Sequence, residues 1–128
     1  MTKPRVLIYV ESRYKVNRKR IKSAIQYVLE EQNLQTQVEI SVAIIGDRKM
    51  KALNKKYRNK EGTANILEFP LNEGEQTNLP SDILRLGDIV ISYPMVIKEA
   101  SEKDMLVDDR VEELLQHGML HLLGLHHE

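Results

Sequence analysis

From Gln37 to Ile45 the chain alternates strictly, with Val38, Ile40, Val42 and Ile44 on one side. A period of two turns every second side chain to the same face, so this stretch is a strand with one buried face. It must therefore pair with other strands and be covered. Arg5–Val10 is short, apolar and β-rich, and reads as a second, buried strand. Ile66–Phe69 reads as a third, stopped by Pro70, and Asp88–Ser92 as a fourth. Between and after these runs the period changes. Residues 17–32 carry Ile21, Ala24, Ile25, Val28 and Leu29 at helical spacing, with Asn17 as N-cap. A helix over 48–57 follows, with Asp47 as its cap and Met50, Leu53 and Tyr57 as its apolar members. Residues 71–84 hold Asn, Gly, Gln, Pro and Ser and read as a loop. Helices are predicted at 93–103 and 106–123, the latter ending at Gly124. The order β-α-β-α-β-β-α-α predicts a mixed α/β layout around about four strands.

The chain has 128 residues, the size of one domain, so residues 1–128 are expected to form a single one with its own core. No cysteine is present, which excludes disulfides and any cysteine-ligated metal centre. No apolar run approaches the ~20 residues that span a bilayer. No signal-peptide layout precedes the first strand. The expectation is a soluble, cytoplasmic protein without a membrane partner.

All four histidines fall in the last twelve residues, as His117, His121, His126 and His127. Residues 117 and 121 lie four apart on a predicted helix, about 40° apart in azimuth and one turn apart in height. Two imidazoles so arranged can hold one metal ion. After the break at Gly124, His127 can close the site from outside the helix. Three imidazoles and an open position are the donor set of a catalytic zinc site, with one zinc expected per chain. The alternative is a surface pair followed by a frayed tail. On the helical wheel, Val107, Val111, Leu114, Leu115 and Leu122 form the apolar stripe. The two histidines flank it near Arg110 and Glu113, at the rim of a cleft. A peptidase helix of the H-E-x-x-H type carries its general base beside the first ligand. Here Gly118 stands there, so activation of water falls to the metal or to a residue from elsewhere.

Net charge is zero but divided: residues 1–60 hold 15 Lys/Arg and 5 Asp/Glu, and residues 61–128 hold 4 and 14. Either a polyanion faces the basic part, or oppositely charged faces attract each other within the fold. The basic residues gather at 13–22 and at 48–60. Lys55 and Lys56 are candidate phosphate contacts, and Tyr14 and Tyr57 can stack on bases. Against this stands an ordinary solvated helix face with its tyrosines packed on the core. Arg58 is the strongest of the group, because a guanidinium grips phosphate with two prongs and meets charge developing during phosphodiester cleavage.

The run His117-Gly-Met-Leu-His-Leu-Leu-Gly-Leu-His-His127 resembles the H-G-x-L-H-L-x-G-Y-D-H signature of the YbeY family of endoribonucleases, also called rRNA maturation factors. Asn54-Lys-Lys-Tyr-Arg58 is similar to that family's N-x-x-Y-R, Leu86-Gly-Asp-Ile-Val-Ile-Ser92 to its L-G-D-I-V-I-S, and Ile66-Leu-Glu-Phe-Pro70 to its V-L-S-F-P. The resemblance implies an α+β fold whose metal-bearing helix is like that of zinc peptidases. It implies a single-strand-specific, zinc-dependent endoribonuclease acting in small-subunit rRNA 3′-end maturation and late ribosome quality control. The ribosomal small subunit and its assembly factors would be partners. His117, His121 and His127 become zinc ligands, and Arg58 matches the family's functional arginine. The chain departs from the pattern at Ala64-Asn65, where relatives have Thr-Asp, at Glu68, where they have Ser, and at Leu125-His126, where they have Tyr-Asp. His126 stands beside His127 as a rival ligand. A metallopeptidase or amidase, and a non-catalytic ribosome-assembly module with a metal-pinned C-terminus, are the competing functions.

Overall fold

The computed structural model of the chain describes residues 3–11, 13–71 and 83–125. Its elements run β1 (Arg5–Val10), α1 (Arg18–Glu31), β2 (Gln37–Ile45), α2 (Asp47–Arg58), β3 (Ile66–Pro70), β4 (Ile83–Ser92), α3 (Tyr93–Glu102) and α4 (Val107–Leu122). The strands form one mixed sheet in the order β1-β2-β4-β3. β1 and β4 both run parallel to β2, and β3 runs antiparallel to β4 on the edge. The helix between β1 and β2 is the crossover that a parallel pair requires. The α+β expectation, with about four strands, is met.

Alternation along β2 sends Val38, Ile40, Val42 and Ile44 into the main core, each 2% exposed or less. There they meet Ile21 and Ile25 of α1, Ile89 and Ile91 of β4, and Leu115 and Met119 of α4. A smaller cluster of Ile45, Met50, Leu67 and Val90 lies on the other face, under α2. β3 divides its side chains the same way. Ile66 packs on the main core and Leu67 in the smaller cluster.

Four local expectations are corrected. β1 is not a buried strand but an edge of the sheet, with Leu7 and Tyr9 exposed. β4 begins at Ile83, not 88, so the loop expected over 71–84 gives up its last two residues; residues 72–82 lie outside the described part. Ile83 to Arg85 pair with Gln37 to Glu39, and the register then slips between Glu39 and Ile40, so that Leu86 is left over as a bulge before Gly87. Pro70 does not stop β3 but is its last residue, opposite Gly87. Proline is tolerated there because β3 is an edge strand. Asp47 is not the cap of α2. Gly46 holds that position, and the Asp47 carboxylate accepts from Thr63 Oγ1 at 3.3 Å and Ser92 Oγ at 3.2 Å instead. Asn17 does cap α1, accepting from the Arg20 amide. No helix among the described residues is long and apolar enough to cross a membrane.

Candidate active site

α4 sets the site. Asp108 and Asp109 in its first turn suit the positive end of the helix dipole. Val111, Leu114, Leu115 and Met119 bury one face against the sheet and α1, and Gly118 is buried with them. His117 and His121 fall at the margin of that face, one turn apart. Their rings meet edge to face, centroids 4.3 Å apart at 66°. His117 is exposed and His121 half-buried.

Opposite the rings runs β3. A Cβ at residue 118 would stand 3.0 Å from Ile66 Cδ1, 3.3 Å from Ile89 Cδ1 and 3.6 Å from Glu68 Cγ. The glycine thus permits the close approach of strand and helix, and a longer side chain there has no room. Ile66 and Glu68, two residues apart, share the face of β3 turned to α4. Glu68 Oε2 lies 3.3 Å from His121 Nδ1.

Histidines, strand and α2 surround one cavity of about 980 Å³. Tyr57 and Arg58 enter it from the end of α2, and Lys103, Arg110 and Glu113 from the start of α4 and the turn before it. Arg110 is largely neutralised: Nη2 and Nε donate to Glu99 Oε1 at 2.8 and 2.9 Å, and Nη1 to Glu113 Oε1 at 2.8 Å. Burial disfavours its charge, but the hydrogen bonds to Glu113 and Glu99 outweigh this and raise its pKa above the ordinary value. Asn65 also donates to Glu99, at 3.2 Å. Arg58 is exposed and has no such carboxylate partner among the described residues. Its charge is available to an anion in the cavity.

The structure therefore brings Arg58 and Tyr57 to the same cavity as His117 and His121. Lys55 and Lys56 do not line it. Lys55 is ion-paired with Glu61, and the Lys56 ammonium lies 5.1 Å from the Tyr57 ring centroid. Tyr14 takes the packed alternative, half-buried and stacked on Tyr93 at 4.6 Å between centroids. Tyr57 is 56% exposed, its edge toward Phe69. His126 and His127 lie outside the described residues. Sequence reasoning missed Asn65, Glu68 and Lys103 as cavity residues. For Glu68 a signal existed: the two-residue period places it beside Ile66, facing the helix.

A zinc ion fits the donor chemistry in part. Two neighbouring imidazoles open on a polar cavity, while no group of three histidine, aspartate or glutamate side chains that could hold an ion occurs among the described residues. The third expected donor is His127, beyond them.

Residues 8–128 match the family described as endoribonuclease YbeY. Among relatives given that name, the chain is 40% identical to one from Magnetococcus marinus over 71% of this chain and 65% of the relative. It is 44% identical to one from Thermodesulfovibrio yellowstonii over 70% and 54%, and 36% identical to one from Acinetobacter baylyi over 88% and 71%. The first two alignments thus span less than two thirds of those relatives' lengths. The solution structure of TM1509 from Thermotoga maritima superimposes with a TM-score of 0.59 at 25% identity, covering 96% of this chain and 75% of that one. The chain belongs to the YbeY family.

Proposed function

We propose that this protein cleaves single-stranded RNA as a zinc-dependent endoribonuclease. The observation that carries the reading is the convergence of Arg58, from the end of α2, with His117 and His121, from α4, on one cavity. His117, His121 and His127 hold the ion. When bound, zinc supplies a water of lowered pKa and a Lewis acid for the phosphate. Arg58 grips the non-bridging oxygens and meets the charge that grows on them. Glu99 and Glu113 keep Arg110 in place and limit the excess positive charge in the cavity, so that the phosphate is drawn to Arg58. Tyr57, beside Arg58, offers a ring for base stacking. Lys55 and Lys56, exposed on the outer side of α2, guide the strand by charge. The cavity is broad and open, which suits an unpaired strand.

The family suggests the substrate and partners: the 3′ end of small-subunit rRNA, the ribosomal small subunit and its assembly factors, met in the cytoplasm during maturation and quality control. The test incubates the protein, prepared without a histidine tag, with unstructured RNA and with casein, each with and without chelator. RNA should be cut, casein spared, and chelator should stop the reaction. Cleavage of casein but not RNA would make the protein a metallopeptidase, and cleavage of neither would make it an assembly module. Zinc analysis of variants identifies the third ligand: His127→Ala should lose stoichiometric zinc, and His126→Ala should keep it. The reverse pattern would transfer the role to His126.

A further inference from the structure

We propose that Glu68 is a positioning residue for His121, fixing the imidazole tautomer that presents Nε2 to the metal. The inference rests on the reading above, in which His121 is a ligand. Three observations carry it. Glu68 Oε2 lies 3.3 Å from Nδ1 of that ring. The pair is partly shielded, with side-chain exposures of 21% for Glu68 and 31% for His121, so water competes only in part. And Glu68 stands on the face of β3 pressed against Gly118, its Cγ 3.6 Å from where a Cβ of residue 118 would be.

A neutral imidazole carries one proton on one of two nitrogens, and the partner of one nitrogen decides which. A carboxylate is an acceptor only, so at Nδ1 it selects the Nδ1–H form. The lone pair is then on Nε2. The two nitrogens direct their bonds in divergent directions, so a carboxylate held at Nδ1 orients the ring without sharing an ion bound at Nε2. It also makes the imidazole a stronger donor. The strand thus returns to the site a carboxylate that α4 has no room to carry at position 118, with a different task. A neutral hydroxyl at this position, as in Glu68→Ser, gives a weaker bias and a shorter reach.

The experiment uses the untagged full chain as wild type, Glu68→Ser and Glu68→Gln. Zinc affinity is measured by competition with a chromophoric chelator. The His121 tautomer is read from long-range ¹H–¹⁵N spectra of the metal-free protein at about pH 8.5, above the ordinary histidine range. Melting curves check that the variants are folded. Wild type should have His121 as the Nδ1–H form. Glu68→Ser should mix the tautomers and weaken zinc binding by about 10–100-fold. Glu68→Gln, whose amide oxygen still accepts from Nδ1, should keep the tautomer and lose less than about tenfold. Unchanged zinc affinity and tautomer in Glu68→Ser would overturn the proposal. So would loss of binding in Glu68→Gln as severe as in Glu68→Ser, which would make the carboxylate itself a ligand. A wild type that takes up no zinc would remove the metal reading of the cavity, while the metal-free spectra would still decide what Glu68 does to His121.

Discussion

Two glycines mark where this backbone admits no side chain, for different reasons. Gly118 is a matter of space: α4 lies so near β3 that a side chain at 118 would enter the layer held by Ile66, Ile89 and Glu68. Gly118→Glu, which restores the peptidase-like pattern on paper, should overpack this contact and destabilise the fold by about 1–3 kcal/mol. It should confer no peptidase activity, because the carboxylate would be forced away from the ring of His117. A thermal melt at the wild-type midpoint would show that the strand yields. Gly87 is a matter of conformation as well. Its φ is +135°, and a Cβ there would run into the Phe69 carbonyl oxygen across the β3–β4 pair. Gly87→Ala should therefore destabilise by more than about 1 kcal/mol, and denaturant titration measures it. A neutral outcome would mean that the bulge at Leu86 can relax.

Among the elements, the junction of β4 and α3 holds the two faces of the sheet in register. Ser92 is fully buried; its hydroxyl accepts from the Met95 amide at 3.3 Å, capping α3, and donates to Asp47 at the start of α2. Ser92→Ala removes both bonds and leaves the Asp47 carboxylate with Thr63. The expected loss is about 1–2 kcal/mol in equilibrium unfolding, and a change within error would assign the cap no weight. This junction also explains what the sequence could and could not disclose. β1, β2, α1 and α4 announce themselves because their apolar periods are local and unbroken. Asn17 was legible as a cap because its preference is local. The first half of β4 was not, because Arg85 and Gly87 interrupt the apolar run and the strand is held there by pairing with β2, whose Gln37 lies opposite Ile83 from far earlier in the chain. Asp47 looked like a cap for the local reason that aspartate favours that position. Its actual partners, Thr63 and Ser92, come from distant parts of the chain. The histidine pair was visible as a helical spacing, and only the family resemblance joined it to Arg58, since packing rather than spacing brings α2 and α4 to one cavity.

At the scale of the molecule, the division between a basic and an acidic half is partly consumed inside the fold. Arg20 of α1 binds Glu112 and, at 2.6 Å, Asp109 of α4, and Lys55 pairs with Glu61. These contacts belong to the reading in which the two halves attract each other. Arg58 stands apart from them, at the cavity. A core of this extent is expected to survive loss of a metal, unlike that of a small zinc module. Chelation should lower the melting temperature and leave a cooperative transition; loss of cooperativity would show that the ion is structural. The central claim is that the cavity joins a metal-bearing histidine pair to a phosphate-gripping arginine. It is tested most directly by the rate of single-stranded RNA cleavage by Arg58→Ala at zinc content and melting temperature matched to wild type. The rate should fall by roughly 10²–10³-fold, the scale of losing one preorganised charge donor, with only partial recovery in Arg58→Lys. An Arg58→Ala protein that cleaves RNA at the wild-type rate would contradict it.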